Sequence, residues 1–559
     1  MSTAHGDTSG HGGVAIQLAA RGSAAWHLNG KPEVTHWRHR HQPYTNFAID
    51  QVVETFSNTQ FGSTGRVELS RAGDLVHRQY VVVSLPGLTT TVLANTASNS
   101  PGYPFVKTTS TTLGAGAVEE PYIPAYEFLA GINTPIGGFW SHYVNAIGYR
   151  LLSTVSLKIG QLVIDQVTSE YLYACSELMG KAGKRVQQIV GLHETREQLI
   201  AWSANAQTLW VPLPWFFTNL SGNALSLATL PGNSVVVTVA FAPLSRCVVV
   251  SHRNITAYKG ATGSDLTNTD LDATLLTEYV FLEEAERTVF DSKPVDPRTG
   301  MRPHGPPNYD QLITTVQQYS LETTGATTAQ LSLHQNFSNP ACEIIFCARL
   351  HANDAKVGSA ANTGANDWTN LSRCGPGEAG SSGYAESHEH RVAMPIQTEG
   401  TFNMTMMDEN VSNNAVANIN AELINTDGNI VSADVYNLGN AVVCDADIFN
   451  TCSLEVNGSH RWPTATKAKY FRTVQPYQHH SSIPRNFIYM YAFGLHPESA
   501  SPSGALNITR LSSMTLSLSF TQARTSIALG GLTVFAWVRA YNVLRYRKGS
   551  AGLQYGATV

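Results

Sequence analysis

Histidines are the residues of this sequence whose spacing comes nearest to a chemical site. The chain has 19 of them, and three groups are close in sequence: His36 with His39 and His41, His388 with His390, and His479 with His480. His-x-His on a strand places two imidazoles on one face, and β-barrel metalloenzymes combine such a pair with a carboxylate. Glu386 and Glu389 stand beside the second pair. Because that pair lies in an irregular stretch with no third ligand fixed, the sequence favours exposed or hydrogen-bonded histidines and predicts no metal site.

Other motifs of catalysis are absent from the sequence. Gly180-Lys181 and Gly183-Lys184-Arg185 lack the glycine spacing and the Ser/Thr of a phosphate-binding loop. Gly62-Ser63-Thr64-Gly65 is one residue short of a nucleophile elbow and is typical of a turn. His193-Glu194 is not followed by the second histidine of a zinc helix. We therefore expect no catalytic residue, no cofactor and no enzymatic activity.

The cysteines indicate a reducing compartment. The seven positions are irregularly spaced and odd in number: Cys175, Cys247, Cys342, Cys347, Cys374, Cys444 and Cys452. No CxxC pair occurs, so neither a disulfide framework nor a zinc site is favoured. We expect reduced, mostly buried thiols in a protein made in a cytosol.

Charge is sparse in this chain of 559 residues. Charged residues make up 14%, with 36 Lys+Arg against 41 Asp+Glu, whereas an average soluble domain has roughly 25%. This balance excludes a strongly basic nucleic-acid coat. Charged residues are depleted at the centres of protein interfaces, so a weakly charged surface suits contact with other protein.

Two short basic groups are the exceptions. Arg38 and Arg40 stand with three histidines around Trp37, and Arg545, Arg547 and Lys548 lie near the C-terminus. Phosphate or an acidic partner could contact either group. Because both groups are short and the whole chain is acidic, a solvated or salt-bridged strand face is favoured.

The elements that position these residues are predicted to be strands. Apolar residues alternate with polar ones in Val155–Ile159, Val235–Phe241, Met514–Phe520 and from Leu532 onward. Gly160-Gln161 separates the first of these from a second alternating run, as in a hairpin. Short strands with frequent turn signals predict a β-sandwich or barrel class. Few helices are expected; one begins with Ser169 as its N-cap and stops at Gly180, and a short one lies in Lys184–Val190.

A proline-rich stretch divides the chain. Five prolines fall in 291–307, and proline cannot sit in a sheet interior. We predict an N-terminal flexible arm (1–40), a first β domain (41–270), a linker and joint (271–308) and a second β domain (309–559) with an irregular insertion at 351–391. The N-terminus lacks the features of a secretory signal, and no run of 18 apolar residues occurs, so no membrane span is expected.

A series of collinear segments resembles a known family. The segments are Tyr44–Ala48, Arg71–Leu75, Val144–Gly148, Val211–Phe217, Glu278–Leu282, Tyr470–Phe471, Gln475–His480, Ile483–Pro484, Tyr489–Phe493, Pro502–Asn507 and Tyr541–Arg545. In this order and spacing the chain resembles the major capsid proteins of nucleocytoplasmic large DNA viruses, over about residues 36–555. The arm before residue 36 and the stretches 88–125 and 351–391 have no counterpart in that family's pattern.

The resemblance implies an all-β fold of two consecutive eight-stranded antiparallel jelly rolls, with long loop insertions and a few short helices. It also implies structural rather than catalytic roles for its motif residues. These are Asn46, Phe47, Arg71, Gly73, Asp74, Asn145, Gly148, Gln475, Pro476, His480, Pro484, Pro502, Ser503, Gly504 and Asn507.

The function that the resemblance implies is that of a capsid subunit. Homotrimers would form pseudo-hexagonal capsomers that tile the icosahedral shell of a large double-stranded DNA virus, assembled in the host cytoplasm. Partners would be other copies of the chain, neighbouring capsomers, minor capsid and penton proteins and, through the N-terminal arm, an internal membrane; no direct nucleic-acid binding is expected. Two alternatives stay open. One is a carbohydrate-binding jelly roll, for which the insertion aromatics Trp368 and Tyr384 are too few to decide, and the other is a cupin-like metalloenzyme using His388, His390 and Glu386 or Glu389.

Overall fold

The computed structural model describes residues 11–23, 26, 30–32, 36–37, 44–92, 141–180, 187–193, 196–250, 255–259, 264–291, 309–323, 328–354, 368–371, 447–463, 466–520, 531–547 and 549–556. The chain divides into one unit at 1–47 and a second at 48–559. The first unit contains helix α1 (His11–Ala19), whose described side chains are exposed. The sequence-based prediction was an arm without periodic structure, and it missed this helix. The segment Val-Ala-Ile-Gln-Leu-Ala follows two glycines, but it is composed largely of good helix formers, which explains why it is helical.

The first half of the second unit is a jelly roll of two four-stranded sheets. One sheet has the order β1-β14-β3-β8 and the other β2-β10-β6-β7. The short β9 joins the first sheet through β3, while β11-β5 and β13-β12-β4 form small accessory sheets. The strands are β1 (Phe47–Thr55), β2 (Thr64–Glu68), β3 (Leu75–Leu85), β4 (Leu88–Val92), β5 (Ser141–Tyr143), β6 (Leu152–Ile159), β7 (Leu162–Thr168), β8 (Gln207–Pro212), β9 (Leu225–Ser226), β10 (Val235–Phe241), β11 (Val248–Val250), β12 (Ile255–Lys259), β13 (Ser264–Asp265) and β14 (Asp272–Leu282).

The second half repeats this arrangement. Its sheets have the orders β15-β23-β17-β20 and β16-β22-β18-β19. β21 and β24 extend the first of them. The strands are β15 (Tyr309–Thr323), β16 (Thr328–Ser332), β17 (Pro340–Leu350), β18 (Phe449–Val456), β19 (Ser459–His460), β20 (Ile488–Ala492), β21 (Leu506–Asn507), β22 (Met514–Phe520), β23 (Leu532–Arg547) and β24 (Ser550–Leu553).

The two rolls therefore share one topology, which the sequence does not reveal as a repeat. In chain order, β1, β2, β3, β6, β7, β8, β10 and β14 correspond to β15, β16, β17, β18, β19, β20, β22 and β23. The double jelly roll expected from the resemblance is confirmed. The alternating segments also form strands as predicted: in β22 every second side chain from Met514 is buried, and β10 buries Val235, Val237, Val239 and Phe241.

Hydrogen bonds between connections show that alternate connections of the first roll meet at one end. The β1–β2 connection bonds to the β10–β14 connection through Phe61 N and Asn268 O, 2.9 Å. Tyr143, in the β3–β6 connection, donates its N–H to Ser203 Oγ of the β7–β8 connection, 3.1 Å. At the other end, Gly160 N donates to Ser234 O, 2.7 Å. We call the end with the first two hydrogen bonds the insertion end, because the long stretch after β3 leaves from it. We call the end at Gly160 the turn end.

Helices occur mainly in the connections. They are α2 (Ile147–Leu151), α3 (Ser169–Leu178), α4 (Gln187–Val190), α5 (Arg196–Ser203), α6 (Glu284–Asp291), α7 (Leu333–Asn336) and α8 (Gln475–His479), the last preceded by a π-helical turn at Tyr470–Val474. The predicted cap was wrong by one residue: Thr168 is the N-cap of α3, because β7 keeps an extended backbone up to that residue, and Ser169 is already helical. In the described part of the chain, no helix is long and apolar enough to cross a membrane.

The predicted linker contains a strand of the first roll. β14 (Asp272–Leu282) lies between β1 and β3, and its pairing with β3 runs from Asp272 to Val280. A start of the linker at 271 therefore places this strand on the wrong side of the joint. The charged residues after Leu282, taken as part of the joint, form α6. Proline content marks the joint itself but not the strand that precedes it, so the boundary falls too early.

Candidate functional site

The junction of the two rolls holds a buried cluster of four charges. The first roll supplies Arg150 from α2 and Glu170 from α3, and the second supplies Arg349 from β17 and Asp354 just beyond it. Arg349 Nη2 lies 3.1 Å from both Glu170 Oε1 and Asp354 Oδ2. Arg150 pairs with Asp354 and has Nη1 3.6 Å from Glu170 Oε1. Each roll thus contributes one cation and one anion, and each charge faces its opposite across the junction.

Electrostatics keep this cluster charged despite its burial. Burial alone would raise the pKa of Glu170, but Arg349 and Arg150 together hold that pKa below its ordinary value. The same balance, with Arg349 contributing most of the lowering, depresses the pKa of Asp354. Removing one member would leave an uncompensated charge in a low-dielectric interior, which is far more costly than the intact cluster.

The insertion of the second roll contributes directly to the junction. Trp368 is 2% exposed, its indole N–H donates to Asn145 O at 2.8 Å, and Arg150 lies 5.4 Å from its ring centroid. Trp368 therefore gives no support to the carbohydrate-binding alternative, because both its ring and its donor are occupied by the first roll. Tyr384, His388, His390, Glu386 and Glu389 lie outside the described residues.

Further hydrogen bonds join the rolls at the insertion end. Asn486 Nδ2, just before β20, donates to Tyr173 OH of α3 at 3.1 Å and also to Thr369 O. Arg485 N donates to Glu177 Oε2, 3.1 Å, and Ser482 N to Leu178 O, 3.2 Å. Helix α3 of the first roll therefore also contacts the second roll.

At the strand edges the contact is made by Asp165 on β7. Its Oδ1 accepts the N–H of Val316 on β15 at 3.0 Å and that of Gln166 at 3.0 Å. Oδ2 has no hydrogen-bond partner among the described residues. Burial raises the pKa of Asp165 to about 7, against the opposing effect of the two backbone donors. Near the turn end, Gly232 N donates to Gly549 O at 3.1 Å, so the two rolls stand side by side with their insertion ends on the same side.

A second charged cluster lies around His480 in the second roll. His480 Nε2 is 2.6 Å from Glu343 Oε2, and Nδ1 is 3.0 Å from Glu498 Oε1. Glu343 Oε1 also accepts from Arg539 Nη1 at 2.6 Å. Burial alone would lower the pKa of His480, but Glu343 and Glu498 raise it to about 9. With both ring nitrogens donating to carboxylates, this histidine has no free lone pair for a metal or for proton abstraction.

The resemblance-derived residues of the first roll lie mainly in its connections. Arg71 has φ +53° at the turn end and donates through Nη2 to Leu230 O and Asn233 O at 2.5 and 2.6 Å. Asp74 accepts from Arg287 Nε at 2.7 Å and from Leu282 N at 3.0 Å. Asn145 holds the backbone of His193 at 2.9 Å. Gly73 and Gly148 are close approaches where a Cβ would come within 2.9 Å of Tyr279 Cβ and Val211 Cγ2. Asn46 is exposed, and the half-exposed Phe47 begins β1.

Those of the second roll gather near α8 and the connection after β20. Gln475 donates to Tyr470 OH at 3.0 Å and accepts from Ala492 N at 3.3 Å. Pro476 is in the first turn of α8, and Pro484 is buried. Ser503 Oγ accepts from His496 N at 2.8 Å. Gly504 adopts φ +128° beside Gly494, Pro502 is exposed, and Asn507 ends β21. Of the residues that the resemblance named, His480 is the centre of the charged cluster in the second roll. Asn145 contacts Trp368 at the junction through its backbone carbonyl.

The expected chemistry of cysteines, metals and basic groups can be checked in part. Five cysteines are described, all unpaired and four of them buried, and burial raises the pKa of Cys175 to about 11 and of Cys247 to about 12. In the described ranges, no group of three His, Cys, Asp or Glu could hold a metal. Arg547 and Arg545 pair with Asp310 at 2.6 and 3.6 Å, which confirms the salt-bridged interpretation of that group. His39, His41, Arg38, Arg40, Lys548, Cys374 and Cys444 lie outside the described residues.

The charges of both clusters were missed at the sequence level, although one signal was present. Glu343 and Arg349 lie in the otherwise apolar β17, and Arg539 lies within the apolar run of β23. A charge inside an apolar strand must be paired when that strand is buried. In a chain with so few charges, these positions predict buried ion pairs, but not which partners they have.

Comparisons with known proteins agree along nearly the whole chain. A family profile described as "Large eukaryotic DNA virus major capsid protein" matches residues 307–552, and one described as "Major capsid protein N-terminus" matches 35–130 and 127–283. The major capsid protein of Phaeocystis pouchetii virus is 25% identical, with 97% of this chain and 99% of the relative covered. That of Paramecium bursaria Chlorella virus 1 is 23% identical, with 96% and 98% covered.

Solved structures show the same fold. A chain from a quasi-atomic capsid structure of the virus PBCV-1 superimposes with a TM-score of 0.58 at 19% identity, covering 93% of this chain and 100% of that one. The Faustovirus major capsid protein gives 0.57 at 11% identity, with 96% of both chains covered.

Proposed function

The chain belongs to the major capsid proteins of large eukaryotic DNA viruses, and from that premise we propose that three copies form a pseudo-hexagonal capsomer of the viral shell. The observation that carries this proposal is the repetition of one strand order in two rolls that stand side by side. Three such chains around an axis present six similar lobes. A block of this shape tiles a nearly flat lattice with few kinds of contact, because symmetry repeats the same patches.

The buried junction supports a role as a rigid building unit. Two ion pairs of the cluster cross between the rolls, Arg150 with Asp354 and Arg349 with Glu170, so each charge has its full set of partners only when both rolls are in place. A sliding or hinging motion between the rolls would separate buried opposite charges, at a cost of several kcal/mol. The subunit therefore enters a shell with the angle between its lobes already fixed.

The polarity of the subunit suggests how it faces the shell. Both insertion ends lie on one side, so we place that side outward and the turn ends inward. The domain limits of the proposal are an arm at 1–40 and rolls ending at 282 and 559. Val14, Ile16 and Leu18 are exposed on α1, which supports contact of the arm with minor capsid proteins or an internal membrane. We also propose that penton proteins are partners and that the shell is assembled in the host cytoplasm. We expect no direct nucleic-acid binding and no catalysis.

The mass of the purified full-length chain in solution tests the capsomer. Light scattering coupled to size-exclusion chromatography should give about three times the 60.5 kDa of one chain, and negative-stain images should show six-lobed particles. A monodisperse monomer at high concentration would contradict the proposal. Glycan-array binding and elemental analysis of the same sample address the carbohydrate-binding and metalloenzyme alternatives, for which we expect no glycan bound and no stoichiometric metal.

A further inference from the structure

The two rolls use equivalent strand edges differently. β15 is the edge strand of its sheet, and its outward residues Thr314, Val316 and Gln318 are only partly exposed, because β7 of the first roll lies against that edge. β1 is the equivalent edge strand of the first roll. Its outward residues Ile49 and Val53 are 51% and 60% exposed, and Gln51 between them is also exposed. We call β1 and β15 the receiving edges.

The opposite edges show the same asymmetry. β7 ends the other sheet of the first roll and supplies Asp165 to the receiving edge β15. Its equivalent, β19, ends the corresponding sheet of the second roll, and Ser459, His460 and the following Arg461 are exposed. We call β7 and β19 the covering edges. Within one chain, a covering edge meets a receiving edge once, which leaves one of each kind unused.

We propose that the covering edge β19 of one subunit lies against the receiving edge β1 of a second copy, repeating the contact that β7 makes with β15 inside the chain. This inference rests on the proposed capsomer and specifies its subunit interface. A head-to-tail contact closes into a ring only if the rotation per step divides a full turn. With two rolls per chain, three chains then use all six receiving edges and all six covering edges.

The chemistry of the two unused edges fits this pairing. An exposed edge strand with apolar side chains is an association site that proteins normally cover or charge. β1 presents Ile49 and Val53 without a charged residue between them on that face. The covering edge is short and brings His460 and Arg461, while Asp50 is exposed on β1. The contact thus sets an apolar stripe on the outward face of β1 against a short basic strand, while Asp50 is exposed on the opposite face of β1.

A photo-crosslinking experiment on the assembled protein tests the inference. A benzophenone amino acid at Gln51 should crosslink, on irradiation, to the segment 457–463 of another subunit, identified by mass spectrometry of the crosslinked dimer band. Separately, the double variant Ile49→Arg, Val53→Arg should shift the scattering mass from three chains to one with an unchanged circular dichroism spectrum. The control is Leu220→Arg, which places one arginine on a comparably exposed leucine (47%) at the turn end and should leave the trimer intact.

The outcomes separate this inference from the capsomer itself. Crosslinks from Gln51 to a different segment, or a full trimer mass for the double variant, would overturn the assignment of the edges while the capsomer stands. A wild-type chain that stays monomeric at every concentration would overturn both. Crosslinks to 457–463 together with loss of the trimer in the double variant support the assignment.

Discussion

Two buried carboxyl groups, those of Asp165 and Glu343, affect the pH dependence of stability in opposite directions. Burial raises the pKa of Asp165 to about 7, against the weaker opposing effects of two backbone donors and of Arg539. Glu343, although equally buried, has a pKa of about 2, because His480 and Arg539 outweigh the effect of burial. The first carboxyl group therefore opposes folding once it ionises, and the second favours folding when ionised.

Replacing Asp165 should alter stability in the neutral range. Its folded pKa is above the unfolded value of 3.8, so folding takes up a proton and stability falls as pH rises from about 4 to 7. Asp165→Asn removes this fall and keeps an acceptor for Val316 N. We expect the variant to gain stability relative to wild type between pH 5 and 8, by something on the order of a few kcal/mol, measured by thermal unfolding. Asp310→Asn, at an exposed salt bridge, serves as the control, and an equal pH trend in both variants would refute the prediction.

Replacing His480 should be costly at acid pH and less costly at alkaline pH. Its folded pKa of about 9 lies above the unfolded 6.5, so its stabilisation is complete below pH 6.5 and is lost as pH rises through 9. We expect His480→Gln to cost about 3 kcal/mol at pH 6 and clearly less at pH 9.5, in denaturant titrations at the two values. The neighbouring His479→Gln, which removes a ring whose Nδ1 lies 3.0 Å from Leu495 O, is the control variant. A pH-independent loss at His480 would show that shape rather than charge matters there.

At the scale of elements, α3 and the segment after β17 determine how the rolls meet. The alternation of apolar and polar residues was enough to predict β6, β7, β10, β22 and β23, because a half-buried strand has apolar residues on one face and polar residues on the other. The junction has no such period. Arg150 and Asp354 are 204 residues apart, and nothing local to either residue specifies the other. The role of Trp368 could not be predicted for the same reason: a tryptophan in a glycine-rich insertion gives no sign of the Asn145 carbonyl that it contacts.

The four-charge cluster should show strong coupling in a double-mutant cycle. Arg349→Met leaves Glu170 and Asp354 with only Arg150, and we expect a loss of about 3–5 kcal/mol. The pair Arg349→Met, Glu170→Met should lose less than the sum of the two single changes, since it leaves one cation with one anion. Chemical denaturation measures all four members of the cycle. The same change at Arg66, exposed on β2, should have almost no effect; additive losses at the junction would argue against mutual pairing.

At the scale of the whole molecule, the two rolls form one block with a continuous apolar core. The rolls have separate sheets but share the charge cluster, α3 and the edge contact of Asp165. The resemblance supplied the double roll correctly, and the proline-rich joint was visible in the sequence. The limit of the first roll was not, because β14 returns to the first sheet only at residue 272, after the β10–β14 connection.

Calorimetry should detect this shared junction as a single transition. We expect residues of both rolls to unfold together in the wild-type chain, with calorimetric and van't Hoff enthalpies that agree. Arg349→Met should split the transition in two, because each roll then loses its support from the other. Two resolved transitions already present in the wild type would show that the junction does not couple the rolls.

Because the long insertions and the short turns lie at opposite ends, the height of the subunit can change without a change in the area that it occupies in a lattice. Turns such as Gly160-Gln161 and Asn457-Gly458 join neighbouring strands at the turn end, and any added residue there would disturb the register on which the sheets depend. The stretches after β3 and β17 leave from the other end, beyond the last paired residues of each sheet. The chain can therefore lengthen by scores of residues and grow taller while its cross-section stays the same. Variants with very different upper surfaces could then occupy lattices of one spacing, with their sides unchanged.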